Sequence, residues 1–365
     1  VKYLVVQTKE IGDVLFSTSL CNTLKLNFPN AQVDYLVMDY CAGMAENNPH
    51  IDNIIKIDKK QKDSWRYLWS LMMKLRRQNY DMVINSQGQI IGLLTCLFSG
   101  APRRIGFNSK FWQVAHTERI AFREATEDQG NGWIIDDRFA LLKPLGLKYE
   151  DRSYKIWLVD TELEQGKEKL VAAGVDLSKP LVALGVSVRG LYKRWPIQYF
   201  EKVAAHLIKR HGAQLLVYSG PGEQEYNQQL KKMLPEDLQV NVFDEIETSS
   251  VRDLCGLFSH CQLFFGNDTG PRNMAQALGL PTLCVASPRS DKDISHPRNH
   301  PRFRGLSTGD ALGLSEEEWL KLRAEKITNE NQFEWFEKLT PEFAIQELDR
   351  MVDELGLFDQ FHADI

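Results

Sequence analysis

Short apolar runs and stretches of helical period alternate from the first residues onward. Tyr3-Leu4-Val5-Val6 is an apolar run of strand length, Gln7–Gly12 breaks it, and apolar positions return at helical spacing from Val14 to Leu26. The opening therefore reads as strand, loop, helix. Ala31–Met38 and Asn53–Ile57 are rich in β-formers, Trp65–Arg77 is amphipathic at helical spacing, and Met82–Asn85 is again a strand. Such alternation predicts a parallel sheet covered by helices on both faces, with right-handed crossovers.

The same grammar restarts near Pro180. Leu181–Val186, Gln214–Tyr218, Val240–Phe243, Gln262–Phe265 and Pro281–Val285 read as strands. Between them Pro196–His211, Glu223–Leu234, Ser250–Phe258 and Pro271–Leu278 read as helices. A second doubly wound domain follows, and the join falls between Tyr154 and Lys179, giving domains 1–165 and 166–338. In the remaining segment, 339–365, Thr340-Pro341-Glu342 supplies an N-cap, a first-turn proline and a dipole-favoured acid, opening a helix that stops before Gly356. Ser287–Gly313, rich in Pro, Arg, His and Gly, reads as a long irregular loop.

A length of 365 residues suits two such domains, and 43% hydrophobic with 25% charged residues belongs to a globular chain. A net charge of −5 excludes bulk electrostatic capture of nucleic acid. The six cysteines show no CxxC pair or zinc spacing and read as buried, reduced thiols. Ile90–Phe98 is the longest strongly apolar stretch, far short of the roughly 20 residues of a membrane span. Val1-Lys2 opens directly on a strand pattern without a leader, so the expected setting is cytoplasmic, soluble or peripherally attached to a membrane.

Open parallel sheets bind ligands beyond the carboxyl ends of their strands, and four segments place polar residues there. In Lys9-Glu10-Ile11-Gly12-Asp13, Gly12 permits a tight turn, and Asp13 is either a helix N-cap or a general base. No GxGxxG is present here, which removes most of the case for a dinucleotide cofactor in this domain. Ser187–Pro196 carries Lys193 and Arg194, which are either a pyrophosphate clamp or solvated cations. In Ser219–Glu223 the acid can accept from ribose hydroxyls or simply start a helix. Phe265–Asn273 is the strongest: a strand ends in a polar turn and a helix opens near Pro271, so the amides about Thr269 and Gly270 form an anion site. Asp268 suits sugar hydroxyls, with a structural Asx-turn as the competing account.

Taken together, these segments resemble the lipopolysaccharide heptosyltransferases of glycosyltransferase family 9. The most specific parts are Ile11–Leu15, Gly100–Phe107, Lys193-Arg194-Trp195-Pro196 and Gly266–Arg272. The resemblance implies an α/β GT-B fold, two Rossmann-like doubly wound domains facing a central cleft, with the C-terminal helix crossing back to the N-terminal domain. It implies Asp13 as catalytic base in an inverting transfer that needs neither metal nor cofactor. The donor it implies is ADP-heptose, with Ser187 and Lys193 at the phosphates, Glu223 at the ribose, and Asp268, Thr269 and Gly270 at sugar and diphosphate.

The acceptor so implied is an anionic, lipid-linked core oligosaccharide at the cytoplasmic face of the inner membrane, bound by the first domain through Lys9, Gly12, Arg103 and Arg104. Arg103, Arg104, Lys110, Arg119 and Arg123 form a basic stretch that is either an anion site or ordinary surface charge. Two positions depart from the family pattern: Asn273 stands where many relatives carry His, and Gln7 where a basic residue is common. His296–Pro301 holds two histidines, but its prolines forbid an aligned helical pair, so it reads as a loop and not a metal site. Trp65, Trp69, Trp319 and Trp335 read as packing residues, with Trp195 the exception suited to sugar stacking.

Overall fold

The computed structural model describes residues 1–108, 110–121, 134–188, 190–218, 220, 222–290, 292, 297 and 300–361. Its contacts divide the chain into two compact units, Val1–Trp157 and Leu158–Ile365.

In unit 1 the apolar runs become β1 (Lys2–Val6), β2 (Gln32–Met38), β3 (Asn53–Ile57) and β4 (Met82–Asn85), joined by β5 (Arg103–Phe107) and β6 (Glu118–Ile120). All pair in parallel, in the order β3-β2-β1-β4-β5-β6. β1, β2 and β4 are buried along nearly their whole length, as strands covered on both faces must be. The helices are α1 (Ile11–Asn27), α2 (Trp65–Arg76), α3 (Ile90–Phe98) and α4 (Ile134–Ala140). The strands β5 and β6 are absent from the sequence pattern because their half-exposed Arg and Glu positions mask the short apolar run.

Unit 2 holds β7 (Leu181–Gly185), β8 (Gln214–Val217), β9 (Val242–Phe243), β10 (Leu263–Asn267), β11 (Thr282–Val285) and β12 (Phe303–Leu306), all parallel, in the order β12-β11-β10-β7-β8-β9. Its helices include α5 (Asp160–Ala172), α6 (Ile197–His211), α7 (Gln224–Met233), α8 (Glu236–Gln239), α9 (Val251–Phe258) and α10 (Gly270–Ala277). In each sheet the first strand pairs with both the second and the fourth. The winding therefore reverses between first and fourth strand, and a crevice opens there at the carboxyl ends. The architecture is the α/β GT-B fold, two parallel six-stranded sheets.

Three details differ from the sequence pattern. The units part between Trp157 and Leu158 rather than at 165/166, because α5 belongs wholly to unit 2. Gly166 lies against Gly256 of α9, where an added Cβ on Gly256 would stand 2.8 Å from the Glu162 carbonyl oxygen, and Glu162 pairs with Arg252. The stretch Ser287–Gly313 is not irregular throughout, since it contains β12 and a helical turn, Thr308–Ala311. The final helix, Pro341–Leu355, does not cross to the first domain. Its Ala344, Leu348 and Met351 enter the unit 2 core beside Phe200, Val203 and Leu207 of α6, where they remove apolar surface from water. All six cysteines are buried and unbridged, as their spacing predicts.

Candidate active site

The reversal point of unit 1 lies between the ends of β1 and β4. After β1 the chain passes through Gln7–Glu10 and enters α1, whose N-cap is Glu10, so Asp13 is an acid of the first turn and not the cap. Its carboxylate meets a buried guanidinium: Arg138 of α4 donates from Nη2 to Asp13 Oδ1 at 2.7 Å and from Nη1 to the Ser86 carbonyl at 2.7 Å. Arg138 is almost wholly buried, whereas the Asp13 side chain keeps 23% of its exposure and so remains within reach of a ligand. The α1 dipole favours the negative charge there.

Behind this pair lies a polar network. Gln7, fully buried, donates from Nε2 to Ser86 Oγ at 3.0 Å and to Ser17 Oγ at 3.3 Å, and accepts from the Lys9 amide. Gln87 accepts from the Thr8 amide at 2.9 Å and donates to the Thr8 hydroxyl. Gln7 is thus a brace of the loop. Lys9 is half-buried and in no ion pair among the described residues, and Gly12 is buried in the first turn of α1.

Sequence reasoning passed over Arg138 and Ser86-Gln87. Arg138 lies 125 residues from Asp13, so no spacing links them. The available signal was the triplet Asp136-Asp137-Arg138 inside the apolar run Ile134–Leu142, since charges enclosed by apolar positions must be paired. Asp136 is indeed buried against Arg152, and burial raises its carboxyl above the usual range despite that pairing.

Arg103 and Arg104 do not join this site. Arg103 is level with Met82, the first residue of β4, and so lies at the amino edge of the sheet, about 13 Å of strand from the ligand end. Its guanidinium forms a fork with Glu118, at 2.8 and 2.9 Å, and Arg104 donates to the carbonyls of Ala101 and Ala115. Arg119 is exposed on β6, while Arg123 and the Lys110 side chain lie outside the described residues.

In unit 2 the reversal point lies between β7 and β10. These strands meet through Gly185 and Gly266, where an added Cβ on Gly266 would stand 2.5 Å from the Gly185 carbonyl oxygen. Asn267 then ties the two ends together. Its Nδ2 donates to the Val186 carbonyl at 2.6 Å and its Oδ1 accepts from the Trp195 amide at 3.0 Å. Trp195 itself is fully buried, edge-on to Phe200 and Phe265, with Nε1 donating to the Leu339 carbonyl. It packs the core and stacks on no sugar.

Ser187 and Glu223 are brought together: the Ser187 hydroxyl donates to Glu223 Oε2 at 2.7 Å, and the Gly220 amide donates to the same oxygen at 3.1 Å. Lys193 ends a 3₁₀ turn, half-buried and in no ion pair among the described residues. Thr269 is the N-cap of α10, yet its hydroxyl caps nothing. Thr269 Oγ1, the Tyr218 hydroxyl and Asn273 Oδ1 are all buried without a hydrogen bond of good geometry. Burial raises the Tyr218 phenol above its usual range, and the neighbouring Thr269 hydroxyl moderates the effect. Tyr218 was not singled out from the sequence, although it ends a strand beside Ser219-Gly220. Asp268 is held by the fully buried Arg272, one helical turn on, which also donates to Gln276. Gly270 opens α10, whose first-turn amides face the same crevice.

Arg189, Ser219, Pro221, His296, Arg298 and Asn299 lie outside the described residues. One described group could hold a metal ion: His206 and His211 of α6 with Asp349 of the final helix, each imidazole Nε2 2.8 Å from Asp349 Oδ1. It sits at the end of α6 remote from Lys193. A cavity of 480 Å³ lined by Phe258, Gln262, Gly279 and Arg302 likewise opens at the amino ends of β10 and β11, away from the polar loops.

Known proteins resemble the chain along most of its length. The family model for glycosyltransferase family 9 (heptosyltransferase) matches residues 68–299. Lipopolysaccharide heptosyltransferase 3 of Escherichia coli K12 is 27% identical over 75% of this chain and 79% of its own. Among solved structures, the family 9 glycosyl transferase of Veillonella parvula superposes with a TM-score of 0.77 at 20% identity, covering 97% of both chains. The E. coli ADP-heptose lipopolysaccharide heptosyltransferase II superposes at 0.73 and 18%, covering 98% of this chain and 100% of that one.

Proposed function

Because the chain belongs to glycosyltransferase family 9, the heptosyltransferase family, we propose that it moves L-glycero-D-manno-heptose from ADP-heptose to the lipopolysaccharide inner core. The transfer inverts the anomeric carbon and needs no metal ion. The observation that carries this reading is the Asp13–Arg138 pair, a half-open carboxylate oriented by a buried guanidinium at the reversal point of an open sheet. Asp13 takes the proton of the acceptor hydroxyl as that oxygen bonds to the anomeric carbon. The bond from that carbon to the β-phosphate oxygen breaks, and ADP leaves with the electron pair.

The donor side of the reading rests on unit 2. Glu223, steadied by Ser187 and Gly220, receives the ribose hydroxyls. Lys193 and the first-turn amides of α10 meet the diphosphate, supplying the positive charge that a metal ion supplies elsewhere. Asp268, fixed by Arg272, receives sugar hydroxyls. ADP-heptose is preferred over other nucleotide sugars because it stands in the name of a protein superposing over the whole chain. The acceptor is an anionic, lipid-linked Kdo or heptose, met by unit 1 with Lys9 and Gly12 near Asp13, at the cytoplasmic face of the inner membrane.

The test is mass spectrometry of the product formed from ADP-heptose and a panel of truncated lipopolysaccharide acceptors, alongside titration with ADP, UDP and GDP. A heptose-mass product and ADP binding are expected. Binding of a uridine or guanosine nucleotide alone would overturn the donor.

A further inference from the structure

Two of the tryptophans that read as packing residues do not pack. On α2, Leu68, Leu71, Met72 and Leu75 face the core, yet Trp65 and Trp69, one turn apart on an adjoining stripe, are 64% and 44% exposed. Their rings lie 5.8 Å apart, and Trp69 meets Phe98 of α3 edge-on at 5.7 Å, beside exposed Leu97. This is one continuous aromatic and aliphatic strip in water, which costs free energy unless something covers it.

Cations precede and follow the tryptophans along the chain. Between residues 59 and 77 stand Lys59, Lys60, Lys62, Arg66, Lys74, Arg76 and Arg77 against the single acid Asp63, in a chain whose net charge is −5. All seven are exposed, and none is in an ion pair among the described residues. Amphipathic indole rings among unpaired Lys and Arg suit the headgroup layer of an anionic bilayer, where each ring keeps one edge wet and one apolar. A protein partner would instead need a matching acidic, aromatic-binding surface.

We propose that the strip Trp65–Trp69–Phe98 with the Lys59–Arg77 cations docks unit 1 on an anionic lipid surface. The contact is peripheral, because no described helix is long and apolar enough to cross a membrane. Its position in the fold gives it a purpose. β3 ends at Ile57 and α2 begins at Trp65, so Lys59–Trp65 lies at the carboxyl end of the sheet, the end that carries Asp13 and Ser86-Gln87. Docking there holds the reversal point against the layer from which a lipid-linked sugar protrudes. That purpose rests on the acceptor proposed above, whereas the surface itself does not.

The experiment is co-sedimentation of the full chain with vesicles of phosphatidylcholine alone, and with phosphatidylcholine and phosphatidylglycerol in equal parts. The intact chain should pellet with the anionic vesicles, less so at high salt, with a blue shift of tryptophan emission. Trp65→Ser with Trp69→Ser should lose about tenfold in partitioning, and Lys59→Gln, Lys60→Gln, Lys62→Gln should lose the preference for the anionic lipid. ADP affinity and melting temperature should not change, since these side chains are exposed. An intact chain that stays in the supernatant, or a double tryptophan variant that pellets as before, overturns the proposal. So does a dimer in sedimentation velocity that the tryptophan variant abolishes while vesicle binding persists. Transfer to a short, lipid-free acceptor, run in parallel, separates the two readings. Vesicle binding without transfer fails only the acceptor, and transfer without vesicle binding fails only this surface.

Discussion

The two sheets share one strand order, but their reversal points are finished differently. In unit 1 the side chains of Gln7, Thr8, Ser17, Ser86 and Gln87 satisfy one another beside the single carboxylate of Asp13, and the unsatisfied buried atoms nearby, Asn85 Oδ1 and Arg138 Nε, belong to residues already bonded through their other atoms. In unit 2 the hydroxyls of Tyr218 and Thr269 and the Asn273 carbonyl oxygen are buried without a hydrogen bond of good geometry, beside the first-turn amides of α10. A closed network spends its hydrogen-bonding capacity on rigidity, and an open one keeps it for a ligand. The same fold thus yields an aimed group in one unit and a receptive surface in the other, the division of labour that the proposed base and the proposed donor site require.

The strongest blow to this contrast is Asp13→Asn. It should cut kcat by roughly 10²- to 10⁴-fold while leaving ADP affinity unchanged by calorimetry, and undiminished turnover would remove Asp13 from the mechanism. Next comes Arg138→Met, which leaves a half-buried carboxylate without its cation. A loss on the order of 3 kcal/mol in urea unfolding is expected, with kcat falling because Asp13 is no longer aimed.

A matched pair of substitutions compares the two networks directly. Gln7→Leu strands the Lys9 amide and takes a donor from Ser17 and Ser86, and should cost about 1–3 kcal/mol of stability. Thr269→Val removes a hydroxyl that makes no hydrogen bond of good geometry, so stability should hold to within about 0.5 kcal/mol while ADP-heptose affinity falls several-fold. Equal stability losses would erase the distinction.

The smallest effect concerns the final helix. Burial alone would raise the Asp349 carboxyl, but hydrogen bonds from His206 and His211 outweigh it and hold the group below its ordinary value. Its stabilising contribution is therefore complete above the ordinary carboxylate range and is lost as pH falls through the lowered value. Asp349→Asn should flatten the acid limb of unit 2 melting while leaving unit 1 unchanged, as calorimetry at stepped pH would show.

Much of the fold is legible in the chain of residues itself. Continuous apolar runs and period-3.6 patterns mark most strands and helices, because burial on both faces of a sheet and on one face of a helix imposes them on the local sequence. The turns after β1, β7, β8 and β10 stand out because polar residues at strand ends have few other reasons to cluster. The short edge strands β6 and β12 are hidden, since half-exposed edges impose no clear pattern.

Other features depend on distance through space. Gln7 can be read as a departure at a ligand position, and only its bonds to Ser17 and Ser86 show it to be a brace. Trp195 and Trp65 are the same residue type in similarly polar surroundings, yet one is fully buried and the other 64% exposed. Arg103 resembles an anion ligand until strand register puts it at the wrong end of the sheet, forked to Glu118. Local periodicity and contiguous motifs suffice to reveal the two doubly wound domains, the family and the loops at the strand ends. That Arg138 aims Asp13, that Ser187 holds Glu223, and which aromatics face water emerge from the folded chain alone, because each depends on partners tens of residues or more apart that meet only when the sheet is wound.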